Sequence, residues 1–303
     1  MPDVSHLTHM PSHIYIRTGF YDKGITVNDL GLTGYNKYHN YFPATEENIA
    51  LYALHNIHMK INCAQMAGNY GIANKASKEL QQQIPAFYLQ IPGALGNYVQ
   101  YLQRTDIFTW LRFGKWEEIL ADPVADTLSF ISVLQHFARG MAFANTGKTA
   151  DAEKELAIMQ NKMTEPSLKE PFAPFNAVYD AALAGEHILA GSIAESKKDF
   201  NKAISFFKQA VIAEDKLIYN EPRDWLLPAR QYLGAAMVKA GRYKEAVTVF
   251  SKDLQINPNN GWSLTGLATC YNQLKNTTAL AAVQKQLSTA WSIKDMAIDA
   301  AVF

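Results

Sequence analysis

The sequence predicts an all-α protein, a right-handed superhelical α-solenoid of about six to seven helix-turn-helix repeats, several of them carrying insertions. Three observations carry that prediction. Amphipathic stretches alternate with short Gly, Pro and Asn punctuation, and no segment alternates apolar and polar residues in the manner of a half-buried strand. A weak repeat emerges towards the C-terminus, where the pattern beginning at Leu227 restarts 34 residues later at Gly261-Trp262. Small residues recur in the middle of each second helix, at Gly24, Ala73, Ala152, Ala203 and Ala246, where a large side chain would push a helix pair apart at a cost of roughly 1–3 kcal/mol.

The elements follow from the turns. Helix pairs are predicted to turn at Gly19, Gly68, Gly114, Gly147, Lys198, Gly241 and Lys275, positions where a helix end adopts a left-handed or exposed conformation. An aromatic residue starts many of the second helices: Tyr21, Tyr70, Trp116, Phe200 and Tyr243. Residues 29–45, with Gly31, Gly34 and Pro43, read as a linker or a lengthened helix end. Residues 84–97 and 163–176 hold Pro85, Pro92, Pro166, Pro171 and Pro174, and loops of that length inside an array are often functional. Residues 279–303 form a C-terminal capping helix, running from about Leu280 to Asp295, and a tail. The whole chain, 1–303, is read as one solenoid, because each repeat contacts its neighbours and the core runs on continuously.

Composition removes several classes of function. The 303 residues carry 28 basic and 28 acidic side chains, which lacks the basic footprint of a nucleic-acid binder. No apolar run approaches the ~18 residues of a membrane span. The N-terminal residues Met1-Pro2-Asp3-Val4-Ser5-His6 have neither the charged nor the apolar region of a signal peptide, so a soluble, cytoplasmic protein is expected. Cys63 and Cys270 are the only cysteines and sit on apolar helical faces, where a small buried thiol is the default. There is no phosphate-binding glycine loop, nucleophile elbow or plausible catalytic triad.

The spacing of Arg230, Leu233-Gly234, Met237, Gly241-Arg242-Tyr243, Ala246, Phe250 and Pro258 is that of a tetratricopeptide repeat. In such arrays the first helices line a concave groove, and five of the eight histidines fall on groove-facing places of two first helices: His6, His9 and His13, then His55 and His58. On one helix the first three lie within an arc of roughly 60°. Two readings follow. In the first, the protein is a non-enzymatic scaffold whose groove, lined by His9, His13, Arg17, His55, His58 and Asn62 and continued by Arg104 and Arg112, binds a protein or peptide segment. In the second, His6, His9, His13, His55 and His58 supply ligands to a transition metal such as zinc, for binding or for metal-dependent catalysis. Pro11 either kinks the helix or starts it, and decides whether His6 and His9 share an axis with His13. His136 and His187 read as core residues. The segment from Asp215 to Arg230 reads as a lid between repeats, pinned by a Glu221–Arg230 pair. The apolar character of the last helix allows a homodimer contact through the solenoid ends.

The segment Met10-Pro11-Ser12-His13-Ile14-Tyr15-Ile16-Arg17-Thr18-Gly19, preceded by His6 and His9, resembles part of a group of bacterial tetratricopeptide-repeat proteins. So do His55-Asn56-x-His58, Arg112-Phe113-Gly114-Lys115-Trp116, Glu221-Pro222 with Trp225, and Asn257-Pro258-Asn259-Asn260-Gly261-Trp262-Ser263-Leu264. The resemblance implies the fold and no established activity. Its members continue upstream with further repeats, which implies that this chain begins inside a repeat.

Overall fold

The computed structural model describes residues 4–42, 46–172 and 175–303, with backbone alone for 46–50. Pro43 and Pro174 of the predicted insertions, and the first three residues, lie outside the described residues. Seven helix pairs follow one another along the chain. They are α2 (Pro11–Thr18) with α3 (Tyr21–Tyr41), α4 (Glu46–Met66) with α5 (Tyr70–Gln83), and α6 (Gly93–Gln103) and α7 (Thr105–Arg112) with α8 (Trp116–Ala121). Then come α9 (Ser129–Asn145) with α10 (Thr149–Lys162), α11 (Val178–Ser196) with α12 (Phe200–Lys216), α13 (Ala229–Lys239) with α14 (Tyr243–Ile256), and α15 (Gly261–Gln273) with α16 (Thr277–Ala290). A short α1 (Ser5–His9) precedes them. Each helix packs on the next, as a solenoid requires.

Every predicted turn residue has positive φ: Gly19, Gly68, Gly114, Gly147 and Gly241, and the non-glycine residues Lys198 and Lys275 at 61° and 57°. Asn69, Asp199, Asn260 and Asn276 then cap the following helices, each side chain accepting a backbone N–H three residues on. The small residues at the helix contacts are buried, and a Cβ on Gly24 would stand 2.6 Å from Cys63 Sγ.

The insertions are ordered. Residues 29–42 prove to be the lengthened end of α3, and Gly31 and Gly34 there lie directly against Ser5 and His9. Residues 84–97 form a short 3-10 turn, Ala86–Gln90, before α6. Residues 163–177 hold another, Pro166–Lys169, and a strand pair the sequence did not disclose. There Pro171–Phe172 (β1) pairs antiparallel with Asn176–Ala177 (β2), each strand too short to show alternation. The last helix ends at Ala290 rather than Asp295, and the residues after it turn back over the molecule.

The inner side of the solenoid is filled by its own chain. The 217–228 segment drives Trp225, Leu226 and Leu227 into the core, each 1% exposed, and the Trp225 ring lies on the backbone of Gly185, where a Cβ would stand 2.0 Å away. The first two units also touch the last one and the segments that flank it. Tyr21 Oη donates to the Pro258 carbonyl at 2.9 Å, Trp262 Nε1 to the Gln65 carbonyl at 2.9 Å, and Asn69 Nδ2 to the Ile293 carbonyl at 2.6 Å. Trp262 shares one apolar cluster with Tyr21, Ile25, Cys63, Phe113 and Ile298. Among the described residues no helix is long and apolar enough to cross a membrane.

Candidate functional site

The histidines converge where α1, α2 and α4 meet. Pro11 occupies the first position of α2, where its missing N–H costs nothing, and Met10 keeps helical angles between α1 and α2. The chain therefore bends without leaving the helical direction, and His9 still faces His13 a turn later. Their Nε2 atoms lie 3.0 Å apart. Each ring is fixed from behind. Asn28 on α3 donates through Nδ2 to the Gly24 carbonyl at 2.7 Å, which leaves its Oδ1 to accept from His9 Nδ1 at 2.7 Å. Glu221 Oε2, 208 positions along the chain from His13, accepts from His13 Nδ1 at 2.5 Å.

His55 on α4 completes the cluster, its ring 4.9 Å from that of His9 and stacked on His13 at 5.4 Å. One ligating atom from each of His9, His13 and His55 lies within 4.8 Å of the others. His6 is exposed and stands one turn further out, its ring 6.1 Å from His9. His58 points elsewhere. It is 1% exposed, neither ring nitrogen has a hydrogen-bond partner among the described residues, and it lines a cavity of about 250 Å³ with His55, Tyr98, Tyr101, Asn220, Glu221 and Pro222. The five expected metal ligands thus resolve into a group of three, His9, His13 and His55, with His6 and His58 outside it.

Burial sets the charge of these rings. Desolvation depresses the His9 pKa to about 4, against a hydrogen bond to Asn28 that favours the charged form, and neighbouring histidines depress it further. Desolvation and the same like-charged neighbours bring His55 to about 3, and desolvation alone brings His58 to about 3. All three are neutral at pH 7, each with one lone pair to offer.

The remaining predicted groove residues separate. Arg17 is exposed at the rim, its guanidinium 4.7 Å from the Tyr219 ring centroid and donating to the Ile256 carbonyl. Asn62 is buried beside a space of about 20 Å³, room for one water. Arg104 and Arg112 do not line an open groove. Arg104 is 7% exposed and pairs with Asp106 and Asp122. Arg112 is 3% exposed, donates to Gln231 Oε1 and the Leu226 carbonyl, and lies over the Trp262 ring at 4.9 Å. Gln231 passes that contact on to the buried carboxylate of Asp253, so the charge is answered inside the protein. For Arg112 the physical reason is the 217–228 segment and α15, which occupy the volume a ligand would need; for Arg104 it is the two carboxylates beside it.

Glu221 does not pair with Arg230 either; Arg230 meets Asp215 through two bonds, which frees Glu221 for His13. His136 is a core residue as expected, held by Glu155 at 2.5 Å, while His187 is only half-buried. Sequence reasoning missed two residues of the site, Asn28, which holds His9, and Tyr98, which lines the cavity. The signal for Asn28 was the run Gly24, Asn28, Gly31, which puts an amide between two glycines on one face of α3.

A family model described as a tetratricopeptide repeat matches residues 187–211, which span the end of α11, the Lys198 turn and most of α12. Among solved structures, the APC/C hetero-tetramer Cut9–Hcn1 aligns with a TM-score of 0.48 and 13% identity over 94% of this chain and 52% of that one. The present chain therefore spans about half the length of that relative. A Rap protein complexed with Competence and Sporulation Factor aligns with a TM-score of 0.39 and 12% identity over 95% of this chain and 98% of that one. At that distance neither likeness bears on any residue of the site. Comparison with the curated proteins gives no match. Helix pairs of this kind support a role in protein interaction. The seven stacked pairs, their left-handed turn residues and the repeat matched on the fifth pair make the chain an α-solenoid of tetratricopeptide-like helix pairs.

Proposed function

We propose that the protein is a non-enzymatic interaction scaffold that anchors a partner by one residue of an extended segment, inserted into the cavity beside His58. The observation that carries this reading is His58 itself: a buried imidazole with both nitrogens unpartnered among the described residues, beside a space of about 250 Å³. A buried polar group without a partner costs about 1–3 kcal/mol, and a ligand towards which the His58 ring turns a nitrogen recovers that cost on binding. The cavity is smaller than the ~300–1,000 Å³ of a drug-sized pocket, which suits one side chain with its adjoining backbone. His55 and His58 present donors and acceptors without positive charge at neutral pH. The anchor is accordingly an uncharged polar side chain, such as an amide or a hydroxyl, rather than a carboxylate.

Selection from a displayed random-peptide library tests this. The wild-type chain should enrich sequences that share one uncharged polar position, and His58→Phe, which removes both ring nitrogens at nearly the same size, should weaken their binding by at least about tenfold, the factor equivalent to one satisfied buried hydrogen bond. Enriched peptides that bind His58→Phe and wild type equally well would refute the anchor.

A further inference from the structure

We propose that His9, His13 and His55 bind one divalent transition-metal ion of the zinc class, with Asn28 and Glu221 orienting the rings that hold it. The argument begins with protons. The amide of Asn28 is fixed by its donation to the Gly24 carbonyl, so its oxygen accepts and His9 carries its proton on Nδ1. Glu221 is a carboxylate facing His13 Nδ1, which places the His13 proton there as well. Both Nε2 atoms are then bare lone pairs, and they face each other at 3.0 Å. Two lone pairs at that distance repel unless a cation lies between them. His55 brings a third nitrogen, with the three ligating atoms within 4.8 Å of one another.

A tetrahedral ion with bonds of about 2.0–2.1 Å spaces its nitrogens roughly 3.3 Å apart. The His9–His13 pair needs only a slight opening, and His55, on the half-buried side of the cluster, has room to close the remainder. Three imidazoles suit zinc, copper or nickel rather than magnesium or calcium, which take oxygen ligands. An N–H given to a carboxylate or amide oxygen behind the ligand is the arrangement that fixes metal-binding histidines. Glu221 also places a negative charge next to the ion, offsetting part of its burial.

This inference shares His55 and Glu221 with the cavity of the peptide reading, so its test uses metal alone. Untagged protein is stripped with a chelator and titrated with Zn²⁺ and with Co²⁺ at neutral pH. The expected result is one ion per chain, with intense visible d–d bands for Co²⁺ that mark a tetrahedral site, where an octahedral surface ion shows only weak ones. His13→Ala and His55→Ala should each lower affinity by more than about 100-fold, and Glu221→Gln by about 10–100-fold through the lost orientation of His13. His6→Ala and His58→Phe should leave it unchanged. The Glu221→Gln arm keeps the test decisive if an alanine variant fails to fold. Absence of a stoichiometric ion, or equal losses in His6→Ala and His13→Ala, would overturn the site, and neither outcome touches peptide binding.

Discussion

His58 shows how much one side chain settles in this molecule. Burial depresses its pKa from 6.5 to about 3, so between those values the unfolded chain takes up a proton that the folded one refuses. The sign follows: the contribution is fully present above pH 6.5 and is lost as the pH falls towards 3, at about 1.4 kcal/mol per pH unit. Its closest aromatic neighbour is Tyr101, at 5.2 Å between ring centres, and the Glu221 carboxylate in the same cavity is engaged by His13. His58→Phe should therefore gain on wild type as the solution is acidified, by about 2 kcal/mol between pH 7 and pH 5. Urea denaturation at the two pH values measures this, and a difference that does not change with pH would contradict it. The conspicuous motifs also resolve at this scale. In Arg112-Phe113-Gly114-Lys115-Trp116 the arginine reaches inward to Gln231, Phe113 packs on Trp262, and Gly114 makes the turn. In Asn257-Pro258-Asn259-Asn260 the first and last asparagines donate to Asp253 at 2.8 Å and 3.1 Å. Both motifs serve the packing of the solenoid.

At the scale of elements, the turns were legible because their rule is local. A helix ends where one residue takes positive φ, and Gly, or Lys at a solvent-exposed end, marks that place without reference to the rest of the chain. Insertions were legible only as interruptions. Nothing in residues 217–228 announces that Trp225 enters the core, since the glycine that receives it, Gly185, lies on another helix pair. The tail after α16 was equally opaque. Asp295, assigned from sequence to the end of the last helix, instead accepts the backbone N–H groups of Tyr70 at 2.7 Å and Gly71 at 2.6 Å and so caps α5. Asp295→Ala should destabilise the protein by about 0.5–2 kcal/mol, the usual range for a lost N-cap acceptor, with Asp295→Asn intermediate. Equilibrium unfolding of the three proteins decides it; an alanine variant as stable as wild type would show that the tail does not cap α5 in solution.

On the scale of the whole molecule, contact between the first and last units changes how the solenoid should unfold. An open array opens from its ends, repeat by repeat, because each unit depends on its neighbours alone. Here Trp262 of the seventh unit is buried against Phe113 and the second unit, and Trp291, Ile298 and Phe303 close over the turns at Gly68 and Gly114. The full chain should melt in one calorimetric transition. Deleting residues 291–303 should cost about 3 kcal/mol or more in lost apolar burial and separate the N-terminal pairs as an earlier transition. A truncated protein that still melts in one step, at the original temperature, would show that the closure contributes nothing.

The sequence by itself determined the helix pairs, their turn residues and the side of the first helices on which the histidines sit. These depend on local backbone preference and on the period of 3.6 residues, both of which short stretches of chain carry. Tertiary structure decided which histidines meet, that Asn28 and Glu221 stand behind them, and that Arg104 and Arg112 are spent on internal partners. The bond from His13 to Glu221 joins residues 208 apart, and its formation depends on the curvature accumulated over every intervening pair. Curvature is a sum of small packing angles, and no local pattern of residues encodes a sum.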